Sequence, residues 1–289
     1  MNPLEGEIMV IDKPLGWSSF HLVKKLRSAL VARLRHAGIK KIKVGHAGTL
    51  DPLATGVMIV CSGKATKRID ELQSGVKEYV ATIALGATTP SFDLETEIDA
   101  TYPTEHITRE LVLEALGRFR GRIEQVPPAY SACKVDGHRA YKMARTGQEV
   151  ELKPKILVID ELELLSFKPG ELVVRVVCSK GTYIRALARD IGTALGSGAH
   201  LTALRRTRVG SHTIEEALSP DRAADIILTA PMEVTGENGE TIQVAPLLPR
   251  KTEESDLPVH HRADILTFAQ RNNTRRPADA ATEATITEE

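Results

Sequence analysis

Leucines recur every four residues at Leu22, Leu26, Leu30 and Leu34, while Lys24, Lys25, Arg27 and Arg35 fall mostly off that stripe. Such spacing predicts an amphipathic helix with a basic outer face. Pro14 and Gly16 shape a turn ahead of it, and Ser18 or Ser19 is placed to cap its first turn. A short apolar strand is expected over Glu7 to Ile11. The run Gly56-Val57-Met58-Ile59-Val60-Cys61 is apolar without alternation, which marks a strand buried on both faces. Lys77 to Gly86 is rich in β-formers and reads as another strand. Thr108 can cap a helix whose Leu111, Ala115, Leu116 and Phe119 make one face. Two strands, Lys155 to Phe167 and Glu171 to Cys178, are separated by the turn Lys168-Pro169-Gly170. The period then changes: Ile184, Leu187, Ala188, Ile191 and Leu195 mark a helix, stopped by Gly196 and Gly198. Glu233 to Val244, with Asn238-Gly239 between β-formers, reads as one hairpin. This mixture of strands and helices predicts an α+β domain around one mixed sheet.

Composition bounds the rest. With 289 residues the chain holds one large domain, or one domain and a small appendage. Its 38 basic and 38 acidic residues cancel, yet they are unevenly placed. No acid occurs from Lys13 through Leu50, where Lys24, Lys25, Arg27, Arg33, Arg35, Lys40, Lys41 and Lys43 gather. From Arg175 to His212, Lys180, Arg185, Arg189, Arg205, Arg206 and Arg208 face one acid, Asp190. Two basic segments on a neutral chain predict a localised phosphate-binding surface. Cys61, Cys133 and Cys178 are too scattered for a disulfide framework or a zinc site, so a reducing compartment is expected. The chain has no apolar run of membrane-spanning length and no signal-peptide core, so a cytoplasmic location is expected. Ser62-Gly63-Lys64-Ala65 fails the phosphate-loop pattern, because Met58 and Ala65 stand where Gly and Ser or Thr are needed. Lys251 to Glu289 is polar and expected to be disordered.

The stretch Gly45 to Gly56, GHAGTLDPLATG, sets the lone carboxylate of Asp51 among glycines and a proline, after a cationic run. An Asp before Pro often does no more than cap a turn. Arg185 adds a second sign: a cation in the first turn of a helix opposes the macrodipole, so an anionic partner is expected, and Asp51 is the candidate. Tyr130 and Tyr141 can stack on bases while Lys134, Arg139, Lys142 and Arg145 meet phosphates.

GHAGTLDPLATG closely resembles the signature G-H-x-G-x-L-D-P-x-A-x-G of the bacterial tRNA pseudouridine-55 synthases. The resemblance continues, in order, through Asp12-Lys13-Pro14-Leu15-Gly16-Trp17-Ser18-Ser19, Lys77-Glu78-Tyr79, Pro127-Pro128-Ala129-Tyr130-Ser131-Ala132-Cys133-Lys134, Cys178 to Arg185, and Leu201 to Gly210. It implies the pseudouridine-synthase fold, a largely antiparallel sheet with a central RNA-binding cleft, and isomerisation of the T-loop uridine at tRNA position 55 after base flipping. In that reading Asp51 is the nucleophile and Arg185 its partner. Tyr79 stacks on the base with a role in proton transfer. His46 holds the flipped-out conformation, Tyr183 and Leu204 wall the pocket, and Lys13, Lys180, Arg205 and Arg206 complete the substrate contacts. A segment of about 126–155 would grip the RNA. The catalytic domain would span 1–212, and 213–250 would be a short extension without a complete appended RNA-binding domain. Neither cofactor nor metal is expected, the partner is the tRNA T-arm without guide RNA, and the chain is expected to act as a monomer. A non-catalytic tRNA-binding or tRNA-folding protein, in which Asp51 is structural, and a synthase with another RNA target are the alternatives.

Overall fold

The computed structural model describes residues 1–131, 134–135, 138–139, 152–235 and 239–247, all within the compact unit Met1–Leu248. The polar tail 251–289, Tyr141, Lys142, Arg145, Asn238 and the side chains of Lys134 and Arg139 lie outside what is described.

β1 (Ile8–Lys13) leads into α1 (Ser19–Leu34), whose N-cap Ser18 accepts from the His21 N–H. β2 (Val44–His46) and β3 (Ala54–Ser62) flank the Asp51 loop, and α2 (Ile69–Ser74) leads to β4 (Lys77–Leu85). Two short pairs, β5 (Ala87–Thr88) with β6 (Ala100–Thr101) and β8 (Lys134–Val135) with β9 (His138–Arg139), flank α3 (Arg109–Gly117) and β7 (Gly121–Gln125). β10 (Lys155–Lys168) and β11 (Glu171–Cys178) precede α4 (Ile184–Ala194) and β12 (Ala199–Val209). After β13 (His212–Thr213) come α5 (Pro220–Thr229), β14 (Met232–Thr235) and β15 (Thr241–Val244). α5, with Ser219 as cap and Pro220 in its first turn, is an element the periodicity did not single out.

The main sheet runs β1-β3-β12-β4-β11-β10-β7, with β2 on β3 and β13 on β12. Its ladders are antiparallel except β12 with β3, where Leu204, Arg205 and Arg206 lie beside Ala54, Thr55 and Gly56 in parallel. That pairing puts two stretches 150 residues apart side by side. The backbones meet so closely that a Cβ on Gly56 (φ +102°) would lie 2.1 Å from the Arg206 carbonyl oxygen.

Burial explains the sequence patterns. β3 is covered on both faces: Met58 and Val60 pack with the α1 leucines and Ile227 of α5, while Val57, Ile59 and Cys61 pack with Ala65 and Val209. β4 is covered on one face, so Tyr79, Ala81, Ile83 and Leu85 alternate with half-buried residues and pack with Leu187 and Ile191 of α4. On its other face Glu78 accepts from Arg175 (2.8 Å) and Thr207 (2.9 Å), tying β4 to β11 and β12.

Candidate active site

The loop between β2 and β3 is shaped by donors from three other elements. Ser19 at the start of α1 donates its hydroxyl to the Leu50 carbonyl (2.9 Å) and accepts from the Leu50 N–H (3.0 Å). Gly16 N–H donates to the Pro52 carbonyl (2.9 Å). Arg206 of β12, 1 % exposed, donates to the carbonyls of Val57 (2.7 Å) and Gly48 (3.2 Å). Lys13 has no solvent exposure, and its ammonium sits on the carbonyls of Trp17 (2.7 Å), Pro14 (3.0 Å) and Pro52 (3.4 Å). Burial pulls Lys13 down to about 8, with Asp51 opposing that fall and Arg206 adding to it. Lys13, expected to contact substrate, thus has its ammonium on backbone carbonyls, whereas Arg206, also expected there, bonds backbone carbonyls and the Tyr79 hydroxyl and lines the cleft. The reason is physical: a buried cation must spend its hydrogen bonds, and the loop supplies the acceptors.

At the tip of this loop Asp51 meets Arg185, Oδ2 to Nη2 at 2.9 Å. Arg185 lies in the first turn of α4 and is 5 % exposed, whereas the Asp51 side chain keeps 43 %. The guanidinium also donates to the carbonyls of Tyr130 (2.9 Å) and Ser91 (3.1 Å), and its Nε lies 3.6 Å from Asp93 Oδ2. Asp93 is fixed in turn by the Ser91 hydroxyl (2.5 Å) and the Glu95 N–H (2.9 Å). Between them Phe92 sits at φ 61°, a left-handed conformation costing a bulky residue about 1–3 kcal/mol. The Arg189 guanidinium 4.8 Å over its ring and a bond from the Leu201 N–H to its carbonyl (2.9 Å) hold it there. Desolvation in the cleft raises the Asp51 pKa above the usual carboxylate value; Arg185 opposes this, and Asp93 and Glu95 reinforce it.

Asp51 opens into a cleft of about 490 Å³, a volume suited to a nucleoside-sized group. Tyr79, 9 % exposed, lines it from β4; burial pushes its phenol up, so it is neutral at physiological pH. Tyr183, Leu204 and Arg206 line it too, and exposed Lys180 stands at its rim. Arg205 pairs with Asp12 at 2.8 Å and retains 42 % exposure. His46 is not among the cleft-lining residues. Its buried Nδ1 has no partner among the described residues, and its pKa is lowered by burial, then by Arg206.

Three contributors escaped the sequence reading. Asp93 stands in a stretch with Glu95, Glu97 and Asp99, and nothing in that run singles it out. Gln125, at the end of β7, donates to the Tyr183 carbonyl (3.2 Å) and accepts from the Tyr183 N–H (2.9 Å), a pairing no local pattern announces. Lys77 also lines the cleft, its ammonium on the carbonyls of Gly75 (2.6 Å) and Gln73, and burial brings it to about 8. Among the described residues no cluster of His, Cys, Asp and Glu could hold a metal, and no helix is long and apolar enough to cross a membrane.

Comparison with known proteins places the chain in a family. Residues 35–184 match the TruB family pseudouridylate synthase (N terminal domain), and residues 185–230 match the tRNA pseudouridylate synthase B C-terminal domain. The chain is 69 % identical over 219 residues to a tRNA pseudouridine synthase B of Phocaeicola vulgatus, covering 76 % of this chain and 92 % of that protein. Its identity to the protein of that name in Bacteroides fragilis is 66 % over 235 residues, 81 % of this chain and 100 % of the relative. Among solved structures, a Cbf5-Nop10-Gar1 complex matches with TM-score 0.58 and 28 % identity, over 78 % of this chain and 55 % of that one.

Proposed function

The chain belongs to the TruB family of pseudouridylate synthases, and from that premise we propose that its cleft isomerises the T-loop uridine of tRNA, with Asp51 as the nucleophile. Pseudouridine formation in tRNA is the activity its relatives are named for, and it is the activity of this chain. The observation that carries the assignment of the site is the Asp51–Arg185 pair at 2.9 Å, with its carboxylate side open to the cleft.

The reaction breaks the N1–C1′ bond, turns the freed uracil and joins C5 to C1′; C5 gives up its proton and N1 gains one. Nothing is added or oxidised, so the chemistry needs no cofactor. The target nucleotide must first leave its stack, at a cost of a few kcal/mol that contacts in the cleft offset. Asp51 then meets the electron-poor centre. Attack on C1′, attack on C6 and a glycal route all need the carboxylate ionised. Arg185 orients it and opposes the desolvation that raises its pKa. Neutral Tyr79 offers the base a flat surface and a hydroxyl, not a phenolate. Tyr183 and Leu204 close the walls and keep water from intercepting the detached base. Lys13 and Arg206 act one step back, holding the loop that presents Asp51. Lys180 and Arg205 stand where phosphates of the bound strand would pass. The enzyme works in this reading as a single cytoplasmic chain without guide RNA.

Incubation of purified protein with unmodified tRNA transcripts, followed by mass-spectrometric mapping, tests this. One new pseudouridine in the T-loop, lost with Asp51→Asn, is expected. A product at another position would overturn the target, and undiminished tritium release from C5-labelled uridine by Asp51→Asn would remove Asp51 from the chemistry.

A further inference from the structure

The outward face of α1 is not used by the chemistry above. Phe20, Lys24, Arg27 and Val31 of α1, with Arg35 in the turn that caps it, follow one another at helical spacing and form a stripe beside the buried face of Leu22, Leu26 and Leu30; Phe20, Lys24 and Arg35 are exposed, and Arg27 and Val31 half-buried. α1 contains no acid, and none of Lys24, Arg27 and Arg35 pairs with a carboxylate among the described residues. Lys25, beside the stripe, is engaged by Asp221 of α5. Phe20 is the most exposed large apolar side chain described, at 65 %, and Leu15 in the preceding turn keeps 43 %. A phenylalanine so exposed on a basic helix gains little from the core.

Its position is specific. Ser19, the neighbouring residue, bonds both polar groups of the Leu50 backbone, and Leu50 precedes Asp51. The aromatic end of the stripe therefore abuts the nucleophile loop, and the cationic end runs away from the cleft along the helix. Base stacking on an exposed ring beside a row of cations is the arrangement by which proteins track a polynucleotide strand.

We propose that this face of α1 is a second RNA-contact surface that carries tRNA flanking the target loop, with Phe20 stacking on a base and Lys24, Arg27 and Arg35 following phosphates. The inference rests on the tRNA reading above. It is tested by measuring affinity against salt for full-length unmodified tRNA and for a minimal hairpin just filling the cleft, in wild type, Phe20→Ala and Lys24→Ala/Arg27→Ala. Phe20→Ala is expected to weaken full-length tRNA by roughly tenfold, with the single-turnover rate at saturating enzyme unchanged. The double variant is expected to lower the steepness of log affinity against log salt by about 1.4–1.8, the loss of two phosphate contacts. Neither change is expected with the minimal hairpin. Wild-type affinity and salt dependence in both variants would overturn the proposal, as would equal losses on the hairpin, which would place these side chains on the loop itself. Failure of wild type to form pseudouridine would defeat the tRNA reading separately, whatever the variants bind.

Discussion

Two buried arginines on two helices show how differently the same side chain can be used. Arg33 of α1, without solvent exposure, donates to the carbonyls of Ile227 (2.8 Å), Val244 (2.9 Å) and Ala245 (3.3 Å), and burial lowers its pKa. Arg185 of α4, 5 % exposed, also takes two carbonyls, but adds the carboxylates of Asp51 and Asp93. Carbonyls alone satisfy donors, and the result is a strut that pins Ile227, Val244 and Ala245 to α1. A carboxylate with one side toward an open cleft leaves a charge that can still react. The partner set, and not burial, separates a strut from a site.

The sharpest test of that contrast is Asp51→Asn, which keeps the shape of the loop and removes the charge. Pseudouridine formation should fall by about 10⁴-fold or more, the scale of losing a nucleophile, while the melting temperature stays level or rises. A fall of many degrees would show that the carboxylate is a strut as well. Next in size is Arg185→Lys. The charge remains but the planar fork cannot serve Asp51 and two carbonyls at once, so the single-turnover rate should drop about 10²–10³-fold, with tRNA affinity within a few fold. Arg33→Met should do the reverse: a loss of about 2 kcal/mol in denaturant stability, from carbonyls left without donors, and an unchanged rate per folded molecule.

The smallest effect is in the pH profile. Folded Asp51 titrates above its unfolded value, so in the window between the two the folded state holds a proton that the unfolded state has lost. As pH rises through that window this group's contribution to stability declines, whereas activity, which in the proposed reading needs the carboxylate, is expected to increase. The acid limb of the single-turnover rate should therefore lie above the titration of an ordinary Asp. Glu95→Gln should move it toward lower pH, because Glu95 is one of the charges that raise Asp51. An unmoved limb would mean that the rate reports another group.

Most of the frame was legible because it follows from period. The leucine stripe of α1 and the uninterrupted run in β3 each encode how many faces are covered. The Asp51–Arg185 pair was legible for a different reason: a cation at a helix start is costly unless something answers it. What stayed hidden was set by tertiary approach. Arg33 reads as one more cation of a basic segment and Arg206 as a substrate contact, and only the packing of α5 on α1, or of β12 on β3, shows which carbonyls they bond. Gln125 and Asp93 carry no local sign of the partners they meet, Tyr183 and Arg185. α5 escaped although Ser219 and Pro220 open it, because ten residues give too few repeats for a stripe to stand out.

The parallel ladder between β12 and β3 also gives the site a history during translation. Arg206 shapes the loop around Gly48 and Val57, yet it leaves the ribosome some 150 residues after them. A nascent chain that has already made the Asp51 loop, its apolar strand and its basic helix therefore lacks the clamp that shapes that loop. Contacts of such long sequence separation also form late in folding. The loop around Asp51 therefore takes its final shape only once β12 has been made.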